Sequence, residues 1–324
     1  MRQSNTPPRK GKILAVAALA ALILSALFAS TVFAEAPARG RWFLELPAVE
    51  GEVELSLSRK SGHGHSSSSF DLPLAELRGL TPPSGSAEVP VHFELARDAG
   101  TLVFDGHASV TGGSGRFTFT GNRAFAAEME RAGHGSLRED QLYGMAVHDV
   151  SRTFIRDLDA LGYSRLSVDN MLAMRIHRAT PEYIRELKAL GYTGLSADDL
   201  VSMRIHGATA EFVRSLKTLG YSELSADDLV SMRIHGVTPE FVRELSALGY
   251  QRVPPDELVS MRIHGVTTEF IRQLKEIGYQ DVSVDDLVSM RIHGVTIAFV
   301  KDMKSRYPDL SPDELVSRRI HNRR

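Results

Sequence analysis

Hydrophobic positions follow three successive patterns along the chain. Residues 13–34 form an uncharged run, mostly Ala and Leu. Residues 41–121 then alternate with period two, at Val53, Leu55 and Leu57, at Val91, Phe93 and Leu95, at Leu102 and Phe104, and at Phe117 and Phe119. Such alternation predicts strands with one buried face. The cluster Pro82-Pro83-Ser84-Gly85 marks a break, and Gly112-Gly113-Ser114-Gly115 predicts a hairpin connection between 108–111 and 116–120. A stretch of about 80 residues suits a small antiparallel sandwich or roll.

From Asn122 onward the pattern repeats. His148, His177, His206, His235, His264 and His293 follow at intervals of 29 residues, and His321 closes the series at 28. Phe125, Phe154, Tyr183, Phe212, Phe241, Phe270 and Phe299 keep the same period. A period of this size predicts an α-solenoid, with two short helices in each unit. In one helix Ser196 caps, Asp199 completes a capping box and Gly207 ends the last turn in a left-handed conformation. In the other Thr238 caps, Pro239 opens and Gly249 terminates. Residues 122–133 read as an opening second helix, which brings the total to fourteen. Helices of about ten residues are marginal alone, so stacking must stabilise them. Seven stacked pairs would form a rod or arc of about 60–70 Å. The chain is therefore expected to be α+β, with a leader at 1–34, a β-domain at 41–121 and a helical-repeat domain at 122–324.

The repeated polar residues are the candidates for function. At 100° per residue, Leu200, Val201, Met203 and Ile205 share one apolar arc, and Arg204 falls inside it. An arginine there needs a partner. The expected arrangement is an inter-unit ladder in which Arg175, Arg204, Arg233, Arg262 and Arg291 each meet an acidic side chain or a helix C-terminus. The alternative is a row of cations lining a groove for an anionic polymer. Asp199, Ser202 and His206 suggest a hydrolytic triad, repeated at Asp228, Ser231 and His235 and at Asp286, Ser289 and His293. Seven helical residues separate Asp from His by about 10.5 Å, too far for the hydrogen bond a triad needs. The serines also lack a strained elbow and oxyanion donors. Each histidine is instead expected to pack beside Gly and bond last-turn carbonyls. A shared metal is disfavoured, since equivalent positions lie about 8–10 Å apart while zinc ligands approach to about 2 Å. The Met and Phe series read as core rather than as a cofactor box. His63 and His65, in the Gly- and Ser-rich stretch 62–69, lack a third ligand and read as part of a solvent loop. No cofactor or metal is expected.

Composition then sharpens the reading. The basic start at Arg2, Arg9, Lys10 and Lys12 followed by the apolar run has the layout of an export signal, with Val32 and Ala34 before a cut ahead of Glu35. An uncleaved anchor with its N-terminus in the cytoplasm is the rival, and membrane contact is then expected only through 13–34. Either places the remainder outside the cytoplasm. Removing 1–34 takes four of the 38 basic residues and none of the 40 acidic ones, so the net charge moves from −2 to −6. That argues against nucleic acid as a partner. The absence of cysteine excludes disulfides, thiolate metal sites and thiol nucleophiles. In the last unit Tyr307-Pro308 replaces Gly-Tyr and Arg318 replaces Met, as a polar end cap should.

Four phrases carry a family likeness: Arg97-Asp98-Ala99-Gly100-Thr101, Gly115-Arg116-Phe117-Thr118-Phe119-Thr120, Ala146-Val147-His148-Asp149-Val150 and the repeated Met-Arg-Ile-His-Gly-Val-Thr-Pro-Glu-Phe. They resemble the extracytoplasmic C-terminal part of bacterial membrane metallopeptidases of the β-lactam-sensor/antirepressor type, and of stand-alone exported proteins of unknown function. The resemblance does not extend to their peptidase domain, since the H-E-x-x-H motif is lacking here. It implies an accessory role in ligand sensing or scaffolding. The expected function is a non-catalytic interaction module in the cell envelope that binds a protein or peptide. An envelope-polymer binder is the first alternative and a hydrolase the second.

Overall fold

Alternating apolar side chains in the first part of the chain pair into seven antiparallel strands. The computed structural model describes residues 38–46, 51–61 and 64–321, so the leader and His63 lie outside the described residues. The strands are β1 (Arg39–Glu45), β2 (Glu52–Ser61), β3 (Gly64–Pro73), β4 (Leu77–Arg78), β5 (Val89–Arg97), β6 (Gly100–Ser109) and β7 (Gly112–Gly121). They form one sheet in the order β3-β2-β1-β7-β6-β5-β4, rather than the two sheets of a sandwich. The sheet curls strongly. Trp42 on β1 meets Phe93 on β5 edge to face, 5.1 Å between centroids, although β7 and β6 lie between them. Phe93 in turn stacks on Phe104 at 4.6 Å. All three rings are fully buried.

Two expectations about loops change. The serine-rich stretch is strand, not loop: β3 begins at Gly64 and pairs with β2, Ser67 opposite Ser58 and Ser69 opposite Ser56. Serine stands on both faces, at 66 and 68 as at 67 and 69, so period-two analysis has nothing to detect there. Gly113 and Gly115 likewise lie within β7, and the turn falls at Val110-Thr111. These glycines admit the indole: a Cβ on Gly115 would lie 2.7 Å from Trp42 Nε1 and one on Gly113 3.1 Å from Trp42 Cη2. Glycine here serves close approach across the sheet.

After β7, fourteen helices follow among the described residues. They are α1 (Arg123–Arg131), α2 (Glu139–Val147), α3 (Arg152–Ala160), α4 (Val168–Ile176), α5 (Pro181–Ala189), α6 (Ala197–Ile205), α7 (Ala210–Thr218), α8 (Ala226–Ile234), α9 (Pro239–Ala247), α10 (Pro255–Ile263), α11 (Thr268–Glu276), α12 (Val284–Ile292), α13 (Ile297–Arg306) and α14 (Pro312–His321). Both ends are locally encoded. Ser196 accepts from Asp199 N while Asp199 accepts from Ser196 N, which closes the capping box. At the other end Ala208 N bonds Met203 O and Gly207 N bonds Arg204 O, with Gly207 at φ +71°. This is a Schellman motif. Asp149 and Arg178 occupy the equivalent place at φ +53° and +57° without being glycine.

Successive even-numbered helices pack on one another from α2 to α14, and odd-numbered ones from α3 to α13, forming two layers. Leu200 and Met203, with their counterparts Leu229 and Met232, Leu258 and Met261, and Leu287 and Met290, are fully buried between them. The α2 helix also packs on β6 and β7, where Tyr143 stacks on Phe117 at 5.9 Å and meets Phe119 edge-on. Burial pushes the Tyr143 hydroxyl up to about 12, against the opposing pull of Arg59. One part of the apolar arc is corrected. Ile205 is not core: it is 53% exposed, because it stands about 140–160° round the helix from the buried Leu200 and Met203.

Candidate functional site

The outer face of the even-numbered helices presents the same side chains again and again. On α6, Asp198, Val201, Ser202 and Ile205 lie within about 100° of arc, opposite Leu200 and Met203. Asp198 and Ile205 are exposed, and Val201 and Ser202 are half-buried. Equivalent isoleucines stand in the last turn of α4, α8, α10, α12 and α14: Ile176, Ile234, Ile263, Ile292 and Ile320, all between 44% and 54% exposed. Single exposed apolar residues are ordinary, but a row of six at equivalent positions is not accounted for by chance exposure. On the same face Asp227, Asp256, Asp285 and Asp313 continue the acidic border begun by Asp198.

The histidines follow these isoleucines. His177, His206, His235 and His264 are exposed and His293 is half-buried. Each serves as a C-cap through its backbone. The expectation that their rings bond last-turn carbonyls is met only at His321, whose Nδ1 lies 2.7 Å from Ser317 O. The other six, His148 included, make no ring hydrogen bond among the described residues. The histidine rings of the open face are thus left to solvent. His148 is half-buried at the sheet junction, and burial, then the charges of Arg97 and Arg175, holds it below the usual histidine range.

The arginines turn away from the open face and into the seams between helices. Arg175, Arg204, Arg233, Arg262 and Arg291 lie 4.9–5.1 Å over the rings of Phe154, Tyr183, Phe212, Phe241 and Phe270, each one unit back. Three also donate Nε to carbonyls at the end of the preceding even-numbered helix: Arg175 to His148, Arg233 to His206 and Arg291 to Gly265, at 3.0, 3.4 and 2.9 Å. Arg175 adds an ion pair with Asp149 at 2.6 Å. Arg204 and Arg262 keep only the ring contact among the described residues, and Arg204 Nε is buried without a hydrogen bond. The cation sits where helix-end carbonyls and an aromatic face converge.

A second ladder was not singled out from the sequence. Lys188 and Lys217 donate Nζ to Leu161 O and Leu190 O, which end the preceding odd-numbered helices. Lys188, Lys217, Lys275 and Lys304 also lie over Tyr163, Tyr192, Tyr250 and Tyr279. The hydroxyls of Tyr163, Tyr250 and Tyr279 donate forward, to Leu195 O, Val282 O and Leu310 O, whereas that of Tyr192 is buried without a hydrogen bond among the described residues. The 29-residue spacing of these lysines was a readable signal, interrupted where Ser246 takes the place.

Arg97 was also missed as a site. It reaches from β5 to donate Nη1 to Ala146 O and Val147 O, both at 3.0 Å, and pairs with Glu76 at 3.0 Å. It thus does for α2 what the repeat arginines do elsewhere, from outside the repeat. Beside it a cleft of about 470 Å³ separates β3 from the ends of α2 and α4. As for the suggested triad, the Asp199 carboxylate is engaged by Ser196 N at 2.8 Å and Ser196 Oγ at 2.7 Å. No group of three or more His, Cys, Asp or Glu residues suited to a metal occurs among the described residues. Comparison of the chain with protein-family models, curated proteins and solved structures finds no match.

Proposed function

We propose that this chain is a non-catalytic interaction module of the cell envelope, exported or anchored through residues 1–34, whose 29-residue repeats form an α-solenoid. The proposed partner is a peptide segment of another protein, bound along the even-numbered helices. The row of exposed isoleucines carries this reading. An apolar row with a polar border supports recognition of a peptide rather than of a fully polar polymer. Units spaced by about 8–10 Å match a peptide in the polyproline II conformation, whose every third side chain falls on one face about 9 Å further on. The aspartates along one border favour a peptide with basic residues beside its apolar ones. The likeness to the extracytoplasmic region of sensor-type peptidases supports an accessory role of this kind.

The anionic-polymer alternative has less support. It needs free arginines on one surface, and these arginines lie over rings in the seams.

The test is photo-crosslinking from Ser231, beside Ile234, in envelope extract, followed by mass spectrometry. A discrete protein partner should crosslink, and Ile205→Asp/Ile234→Asp/Ile263→Asp should abolish it. Crosslinking to glycan alone, or a partner retained by the triple variant, would overturn the reading.

A further inference from the structure

The outer face of the β-sheet is electrically divided. On β1, Trp42 and Leu44 turn inward, so Arg39, Arg41 and Phe43 turn outward. The register sets Arg41 opposite Ser58 on one side and Arg116 on the other, and Lys60 opposite His65. Arg39, Arg41, Lys60 and Arg116 therefore share one end of one face. All four are exposed, and none has an ion pair or hydrogen bond from its side chain to a carboxylate among the described residues. The one bordering carboxylate, Asp105, is held by His92 at 2.8 Å. The cations rim a shallow depression of about 730 Å³. Glu45 and Glu54 occupy the other end of the same strands, with Asp71 opposite Glu54. The face thus runs from basic to acidic along β1, over about 20 Å. Phe43 lies between the two ends, 54% exposed.

The basic end is the one at which the chain enters the sheet. The uncharged run 13–34 ends five residues before Arg39, a stretch that reaches at most about 17 Å. A bilayer holding residue 34 would have Arg39 within that distance of its surface and the other three cations within about 10 Å more.

We infer that the basic end of this sheet face docks on an anionic phospholipid surface, with Phe43 entering the headgroup layer. Unpaired arginine and lysine side chains gathered near a membrane are attracted to anionic headgroups, and an exposed aromatic beside them adds apolar contact at the interface. The acidic end orients the face, since it is repelled by the same surface. This goes beyond the peptide-binding reading and does not depend on it.

The full chain has no cysteine, so Phe43→Cys supplies a single thiol for labelling by a water-soluble maleimide. The protein is reconstituted with vesicles of phosphatidylcholine alone or with added phosphatidylglycerol. Labelling should fall about tenfold on the anionic vesicles and recover in about 1 M salt, where the screening length is only about 3 Å. A Ser260→Cys thiol on the helical face should label at the same rate on both. Adding Arg39→Gln, Arg41→Gln, Lys60→Gln and Arg116→Gln should abolish the protection, whereas Glu45→Gln with Glu54→Gln should retain it. Equal labelling of Phe43→Cys on the two vesicle types would overturn the inference. So would protection by soluble heparin without protection by vesicles, which would assign the patch to a polyanion. If the fourfold variant does not fold, the lipid and salt dependence of Phe43→Cys alone decides. None of these outcomes alters the crosslinking result expected at Ser231.

Discussion

Ile234 spends its side chain on solvent while Met232, two residues earlier, is fully buried. The two therefore respond oppositely to substitution. Ile234→Asp should change stability by no more than about 0.5 kcal/mol, as surface substitutions do, yet it should weaken the crosslink from Ser231; thermal unfolding checks the first part. Met232→Ala should cost about 2–5 kcal/mol. Arg291→Gln loses a 2.9 Å bond to Gly265 O and its place over Phe270, and urea unfolding should show a loss of about 1–3 kcal/mol. His148 brings a pH dependence. Its folded form binds a proton less readily than the unfolded chain, so protonation favours unfolding. That contribution to stability is complete above about pH 6.5 and declines as pH falls through that value. His148→Gln should flatten this part of the pH profile; an unchanged slope between pH 7 and 5 would show that the effect arises elsewhere.

Helix boundaries were legible because capping is local. Ser225 bonds Asp228 N at 3.0 Å and Asp228 returns a bond to Ser225 N at 2.9 Å, and such a pair can be read from four letters of sequence. Ser225→Ala should cost about 1 kcal/mol. Gly236 holds φ +71°, so Gly236→Ala should cost about 1–2 kcal/mol in the same unfolding assay. The strands were less legible where their composition hid the alternation. In β3 the outward positions 67 and 69 and the inward positions 66 and 68 are all serine. In β7 the glycines resemble a turn, and the close approach of the neighbouring strand and of Trp42 to Gly113 and Gly115 explains them.

Sheet and helices are joined through a few long-range bonds. Besides Arg97, Asp98 accepts from Arg152 N at 2.8 Å and pairs with its guanidinium, while Asn122 caps α1 and donates to Asp98 O. Arg97→Gln should leave Ala146 O and Val147 O without these charged donors and loosen the coupling. Calorimetry should then resolve two unfolding transitions where the parent shows them closer together or merged; an unchanged trace would place the coupling in the aromatic contacts around Tyr143.

Short-range signals decided much of this protein before any folding. A period of 29, serine and threonine caps, and glycine after His206, His235, His264 and His293 are relations among neighbours in sequence, and they mark where helices begin and end. Which side of each helix faces solvent depends on what packs beside it. The broad apolar arc took in Ile205 together with Leu200 and Met203, and only the packing of neighbouring helices shows that the buried side is the one centred on Leu200 and Met203. The same holds for the cations. Arg204 and Arg41 are alike as letters, but one lies over Tyr183 in a seam between helices and the other stands exposed on a curled sheet. Pairing across strands and stacking across units bring those surroundings together from distant parts of the chain, so only the tertiary structure could distinguish an arginine that joins units from one left free to meet a partner.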